Sequence, residues 1–352
     1  MTFYQELQLN QAGSKAAIRG ASSKKEKYRH IFIYLFKVFL NMVFCVSFVT
    51  ACAVIFGGDN GVAGVVVLLC LLVFRFSDLG IHVSHSLASF GIIFAVLAFG
   101  PRLANMGNPV SSFFVHTVCI LLLMVFGCHN VMMSNQFTLV LGYLLLFGYD
   151  VTGSAYLKRL ALLAVGGILT CIIFYRNHRK KTYKRSLGDL LREFDLHSSR
   201  TKWQITLSLG VSSILLIAAL LGVPRAMWTG IAAMSVILPF RIDLKSRVSG
   251  RIPGNIFGAV IFFLLYYFLP ESLRPYIGIL GGIGNGFSAS YTCQVMFNSL
   301  GALNTAVGVL GLKSAIFYRI FNNVLGAVYA LGFQKVCHLI LDRIPTRQTI
   351  PE

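Results

Sequence analysis

From Ile31 to Phe56 the chain runs 26 residues with a single charge, Lys37. At 1.5 Å per residue, a helix of that length spans about 39 Å, more than the roughly 30 Å hydrocarbon core of a bilayer. Inside that core the backbone must satisfy its own hydrogen bonds, which leaves helices and closed barrels as the spanning structures. A run this long and this apolar reads as helix. It is also too long for the apolar stretch of a cleaved signal peptide, so it is expected to be retained as a first membrane helix.

The rest of the sequence repeats the pattern. Apolar segments occur at 31–56, 60–74, 80–99, 111–128, 136–149 and 154–175. A polar stretch follows, and then 204–222, 226–240, 252–269, 276–297, 300–312 and 314–341. Only 12% of residues are charged, against about 25% in a soluble chain, and the mean hydropathy is +0.73. The expected fold class is an all-α polytopic membrane protein of about twelve transmembrane helices, in two six-helix repeats joined by a short cytosolic amphipathic linker. The corresponding boundaries are a cytosolic segment at 1–30, a first repeat at 31–176, a basic linker at 177–202, a second repeat at 203–341 and a cytosolic tail at 342–352. Several segments are shorter than the roughly 20 residues that a span requires.

The net charge of +19 fits the positive-inside rule better than nucleic-acid binding. Lys24, Lys25, Lys27 and Arg29 precede the first helix, and Arg176, Arg179, Lys180, Lys181, Lys184 and Arg185 follow the sixth. Arg241, Lys245, Arg247 and Arg251 lie between the eighth and ninth, and Arg343 and Arg347 in the tail. Both termini and the linker are therefore expected on the cytosolic side of the plasma (inner) membrane. In the linker, Ser186-x-x-Asp189 has capping-box spacing, and Leu187, Leu190, Leu191 and Phe194 form an apolar stripe. A short amphipathic helix beside a polybasic run suits anionic headgroups, although a plain connector packed on the bundle has the same pattern.

Two stretches share six identities: Arg251-Ile-x-x-Asn255-x-x-Gly258-Ala-Val and Arg319-Ile-x-x-Asn323-x-x-Gly326-Ala-Val. Arg159-x6-Gly166 is a weaker third copy. Seven residues make almost two helical turns, so each arginine and glycine share a face. An arginine in a membrane helix demands a partner or a task, and a glycine lets a neighbouring helix approach. Arg251, Arg319 and Arg159, with Asn255, Asn322 and Asn323, are the candidate anion-binding residues, and Gly254, Gly258, Gly326 and Gly166 the candidate packing glycines. Structural pinning of the bundle, for example through Asp243, is the competing role for the arginines.

Other polar features are fewer. Asp78, His82, His85 and Asp243 are the candidates for proton coupling, since they combine titratable groups with membrane segments. The halves also match in the steps Arg75-Phe-Ser-Asp78-Leu79 and Arg241-Ile-Asp243-Leu244, and in short fifth segments. Gly278-x-x-Gly281-Gly282-x-Gly284-x-Gly286 interrupts another segment, and matched interruptions point to a transporter's midplane site. No strand precedes that glycine run, so nucleotide binding is rejected. The eight cysteines lie in apolar segments without CxxC or zinc spacing, so no metal or cofactor is expected. A P-loop, an HExxH motif and a nucleophile elbow are all missing from the sequence, which argues against an enzyme.

Arg251-x-x-Gly254-Asn255-x-x-Gly258 resembles the R-x-x-G-T-x-x-G pattern of the fusaric acid resistance protein-like family. Arg319-x-x-Asn322-Asn323-x-x-Gly326 resembles that family's R-x-x-D-T-x-x-G. The family includes aromatic acid exporters, and its order of six helices, a cytosolic stretch and six more would cover essentially the whole chain. Asn255 and Asn323 stand where the family has threonine, and Asn322 where it has an acid. The resemblance implies export of small organic anions, with aromatic carboxylates expected in that family's manner. Losing the acid puts inherited proton coupling in doubt. A passive anion channel and a non-transporting assembly or envelope-stress protein are the alternatives. Membrane lipid and a small organic anion are the expected partners, and a homo-oligomer is compatible with this reading.

Overall fold

The computed structural model describes residues 2–239, 244–341 and 343–345, with backbone alone at 244–246. Among these residues there are helices, turns and no strand. Helices α1 (Phe3–Gln8), α2 (Gln11–Arg19) and α3 (Lys24–Phe56) open the chain. They are followed by α4 (Gly61–Val73), α5 (Val83–Met106), α6 (Pro109–Gly127), α7 (Gln136–Gly148) and α8 (Gly153–His178). The linker carries α9 (Leu187–Arg192). Then come α10 (Ser199–Leu220), α11 (Met227–Val236), α12 (Leu244–Phe268), α13 (Ile277–Gly286), α14 (Tyr291–Leu310) and α15 (Leu312–Leu341).

Eight helices among the described residues are long and apolar enough to cross a bilayer: α3, α5, α6, α8, α10, α12, α14 and α15. The chain is a multi-pass membrane protein. Every expected apolar segment has a helix, but four are too short to be full crossings. α4 and α7 have 13 residues, and α11 and α13 have 10, or about 15–20 Å of helix against roughly 30 Å of hydrocarbon. Twelve full crossings are therefore not what the helix lengths give. The expected break at 298–299 lies instead at 287–290, because Ser290 caps α14 by accepting a bond from Cys293 N at 3.4 Å. The fifth segment of the second half is thus a helix of 20 residues, and the fourth is the short one.

The chain forms two compact units, and unit 1 (residues 1–47 and 246–321) draws on both halves of the sequence. Its packing is set by glycines. A Cβ on Gly254 would sit 2.7 Å from Thr292 O, and one on Gly258 would sit 2.5 Å from Met296 O, so α12 and α14 meet backbone to backbone. The glycine run of α13 works on two sides. Gly281 faces Phe297 O of α14, whereas Gly282 and Gly286 face Met42 and Val38 of α3. Tyr34 OH donates to Gly286 O at 3.2 Å and its ring meets Phe287 edge-on. The segment before α3 is folded onto it: Glu6 takes Arg29 and His30, and Lys37 Nζ donates to Leu9 O and Ser14 Oγ. That accounts for the one charge inside the first apolar run.

Unit 2 (residues 48–245 and 322–352) packs α4–α8, α10 and α11 with the ends of α3 and α15. Phe74, Phe90 and Phe174 stack edge-to-face in its core. Gln204 Nε2 on α10 donates to Met124 O at the end of α6. A Cβ on Gly166 of α8 would collide with Val67 of α4, and a Cβ on Gly326 of α15 with Thr229 O of α11. The sixth apolar helix of each half thus grips the short second helix of the same half through the glycine seven residues after its arginine.

Candidate functional site

Unit 1 brings Arg251 and Arg319 onto one polar strip. Each is 6% exposed although it carries a full charge in an apolar bundle. Arg251 Nη1 donates to Tyr291 OH at 3.1 Å, and Arg251 O accepts from Asn255 Nδ2 at 2.9 Å, one turn along α12. The Ser299 hydroxyl of α14 lies 2.9 Å from Asn255 Oδ1 and accepts from Arg319 Nη2 of α15 at 3.4 Å. Three helices therefore contribute, and the Gly254 and Gly258 contacts bring α12 close enough to α14 for a side chain as short as serine to bridge them. The Arg247 guanidinium lies over the Tyr291 ring, 4.4 Å from its centre, and gathers a further positive charge there.

The remaining candidates from the repeated motif lie in unit 2. Arg159 is buried and donates to Asn60 Oδ1 at 3.1 Å, Tyr149 O at 2.8 Å and Asp59 O at 3.4 Å. It ties the start of α8 to the entry of α4 and the end of α7, a structural arrangement. Asn322 does similar work in the second half: its Nδ2 donates to Pro224 O and Arg225 O before α11. Its Oδ1 is buried without a hydrogen bond among the described residues. Asn323 is 1% exposed on the same helix.

Asp78, His82 and His85 meet the linker. Asp78 Oδ1 accepts from Asn130 Nδ2 and Gly80 N, and Lys181 Nζ stands 3.7 Å from Oδ2. The carboxylate pushes the Tyr183 hydroxyl, already desolvated by burial, further above the usual phenol range. His82 N donates to Arg185 O, and His85 Nδ1 accepts from Leu187 N, the first residue of α9. Ser186 and Asp189 make the capping box that starts α9, and those bonds hold the Asp189 carboxyl below its ordinary value. Farther along, Glu193 binds Arg185 and Arg200 at 2.8 Å each and lies 3.3 Å from His129. The fourth coupling candidate, Asp243, lies outside the described residues, as do Arg241 and Arg347.

Arg251, Asn255, Ser299 and Arg319 all fall in one stretch of sequence that known families can be compared with. Residues 212–333 match the fusaric acid resistance protein-like family. The fusaric acid resistance protein-like region thus holds the whole strip, together with Asn322, Asn323 and Gly326, and leaves out Arg159, Asp78 and both histidines. Comparison with curated proteins and with solved structures gives no match. Within the matched region the sequence reading missed Tyr291 and Ser299. A serine inside an otherwise apolar helix was the available signal for Ser299, since polar groups there need partners; Tyr291 gave none.

Proposed function

We propose that the chain is a membrane transporter that exports small organic anions, aromatic carboxylates foremost. The observation that carries this reading is the pair Arg251 and Arg319, buried together on one hydrogen-bonded strip within the fusaric acid resistance protein-like region. A guanidinium matches a carboxylate with two parallel bonds, and low dielectric around it strengthens that recognition. Tyr291 and Ser299 would orient the two forks. The contacts of Asp78, His82 and His85 favour docking of the linker over a proton relay. Purified protein in liposomes tests the reading: benzoate-like or hydroxycinnamate-like anions should move faster than in empty vesicles. Flux confined to the downhill direction would make the protein a channel, and no flux at all would favour an assembly role.

The basic clusters support an orientation with the linker and both termini in the cytosol of a cell with this protein in its plasma (inner) membrane. Arg192 on α9 is 86% exposed, so a cysteine placed there is reachable from solvent. It should resist an impermeant thiol reagent in intact cells and react after lysis. Labelling in intact cells reverses the orientation.

A further inference from the structure

Along α5 and α8, unit 2 carries a groove of about 560 Å³ that has no part in the arginine strip. Its lining is apolar apart from the Cys171 thiol. Gly167 of α8 rests on the Phe94 ring of α5, where a Cβ would lie 3.1 Å from the ring. Gly91, Ala95 and Ala164 are exposed in the groove, which stands open because these residues are small. Both helices are long and apolar enough to cross a bilayer, so the groove faces hydrocarbon. From Leu87 to Phe99 it follows α5 for about 18 Å, close to the roughly 15 Å that one leaflet contributes to the core.

Beyond Ile172, at one end of the groove, the same face of α8 continues with Tyr175, Arg176 and Arg179. All three are exposed, and so is Lys180. Helical side chains lean toward the N-terminus of their helix, which carries both guanidinium groups back toward the groove. A tyrosine at that level suits the headgroup boundary. Nearby cations are matched, since Lys181 stands by Asp78 and Arg185 binds Glu193. Arg176, Arg179 and Lys180 have no ion-pair partner among the described residues.

We infer that the groove seats one acyl chain of an anionic phospholipid, whose phosphate meets Arg176 and Arg179. A second copy of the chain is the other candidate cover, because small residues let helices approach. Inserted in the same orientation, it would bring its own Arg176, Arg179 and Lys180 to the same level. Like charges facing each other oppose that pairing, whereas a phosphate relieves it. The assignment requires no transport and uses neither Arg251 nor Arg319.

Quenching of tryptophan by acyl-brominated lipid tests it, with the full chain reconstituted in phosphatidylcholine vesicles. The native Trp203 and Trp228 are buried and report little of the lipid. Ile168→Trp and Ile172→Trp each put a reporter on the exposed rim of the groove. Leu169→Trp puts one at the same depth, exposed but outside the lining. Brominated phosphatidylglycerol should quench both rim reporters at least about fivefold more effectively than brominated phosphatidylcholine, the preference that a single surface cation confers. Leu169→Trp should respond alike to the two lipids. Adding Arg176→Gln and Arg179→Gln to Ile168→Trp should abolish the preference. Adding Gly91→Leu, where a Cβ meets nothing within 4 Å, should fill the groove and reduce quenching by both lipids. The reporters alone leave both arginines in place, so they answer even if the multiple variants do not fold. Equal preference at the rim and in Leu169→Trp would mean a diffuse attraction to the basic end and overturns the site. A preference that survives the loss of both arginines overturns it too. Rim reporters that neither lipid quenches, beside a quenched Leu169→Trp, would assign the groove to a second copy, and the inference would fall.

Discussion

The Ser299 hydroxyl lies 2.9 Å from Asn255 Oδ1 and 2.9 Å from Val295 O, either of which can take its one proton, and the contact with Asn255 links the two arginines of unit 1. Arg319 donates to the same hydroxyl, and Asn255 donates back to Arg251 O. Groups on one network do not act independently: contacting residues show interaction energies of about 0.5–3 kcal/mol in double-mutant cycles. Transport by Arg251→Gln, Arg319→Gln and the double variant should therefore be non-additive, with the double losing less than the summed single losses. Ser299→Ala should bring the cycle closer to additivity. Strict additivity in the unaltered background would mean that the arginines serve separate places.

Helix approach in unit 1 depends on missing side chains. Gly258→Ala would set a methyl 2.5 Å from Met296 O and 2.8 Å from Ser299 Cβ, so α12 and α14 would have to separate. Overpacking of this kind costs about 1–3 kcal/mol. Gly301 on α14 is the contrast, because a Cβ there meets nothing within 4 Å. Gly301→Ala should stabilise by about 0.5–1 kcal/mol by removing backbone freedom from the unfolded chain. Thermal unfolding of the detergent-solubilised variants should move in opposite directions, and transport should fall in Gly258→Ala alone.

Acid should loosen the linker. Burial, reinforced by the Arg200 guanidinium, pushes His129 down to about 4, while Glu193 pulls the other way. Arg200 Nη1 points at His129 Nε2 at 3.1 Å, so that nitrogen accepts and the ring is neutral. The folded chain thus resists a proton that the unfolded chain accepts near pH 6.5. The resulting stability is complete above that value and is lost as pH falls toward 4, on the order of 3 kcal/mol at most. Glu193 acts in the same direction: burial raises its pKa, but bonds from Arg200 and Arg185 outweigh that and leave it lowered. Its contribution is lost below about pH 4.5. Melting temperature should drop between pH 7 and pH 5, and His129→Gln should flatten that drop. An unchanged slope in His129→Gln would assign the acid sensitivity elsewhere.

Hydropathy and local spacing made much of this architecture legible. The long helices, the Ser186–Asp189 capping box and the glycine-mediated approaches follow from patterns within one segment. Long-range pairing did not show. Lys37 reads as an isolated charge until α1 and α2 fold back to supply Leu9 O and Ser14 Oγ. Asp78 and the two histidines read as a coupling cluster because the linker that meets them begins about a hundred residues later. The break between α13 and α14 was misplaced because a serine cap decides it, and a cap changes hydropathy little.

Arg159 and Arg251 hold equivalent motif positions but should respond oppositely to the same change. Arg159 donates to Asn60 Oδ1, Tyr149 O and Asp59 O, so Arg159→Gln leaves the buried Asn60 Oδ1 and the half-buried Tyr149 O of unit 2 unmatched. The orphaned Asn60 acceptor alone costs about 1–3 kcal/mol, a sizeable share of a protein's margin of stability. Folded yield and melting temperature should both fall, and any loss of flux should track the loss of folded protein. Arg251→Gln should instead leave yield and melting temperature close to those of the unaltered chain while flux falls. Arg251→Lys, which keeps the charge but loses the planar fork, should also transport poorly. If Arg251→Gln destabilises by the roughly 3–5 kcal/mol expected from breaking a buried charged pair, Arg251 is a structural pin like Arg159. The anion must then be recognised elsewhere.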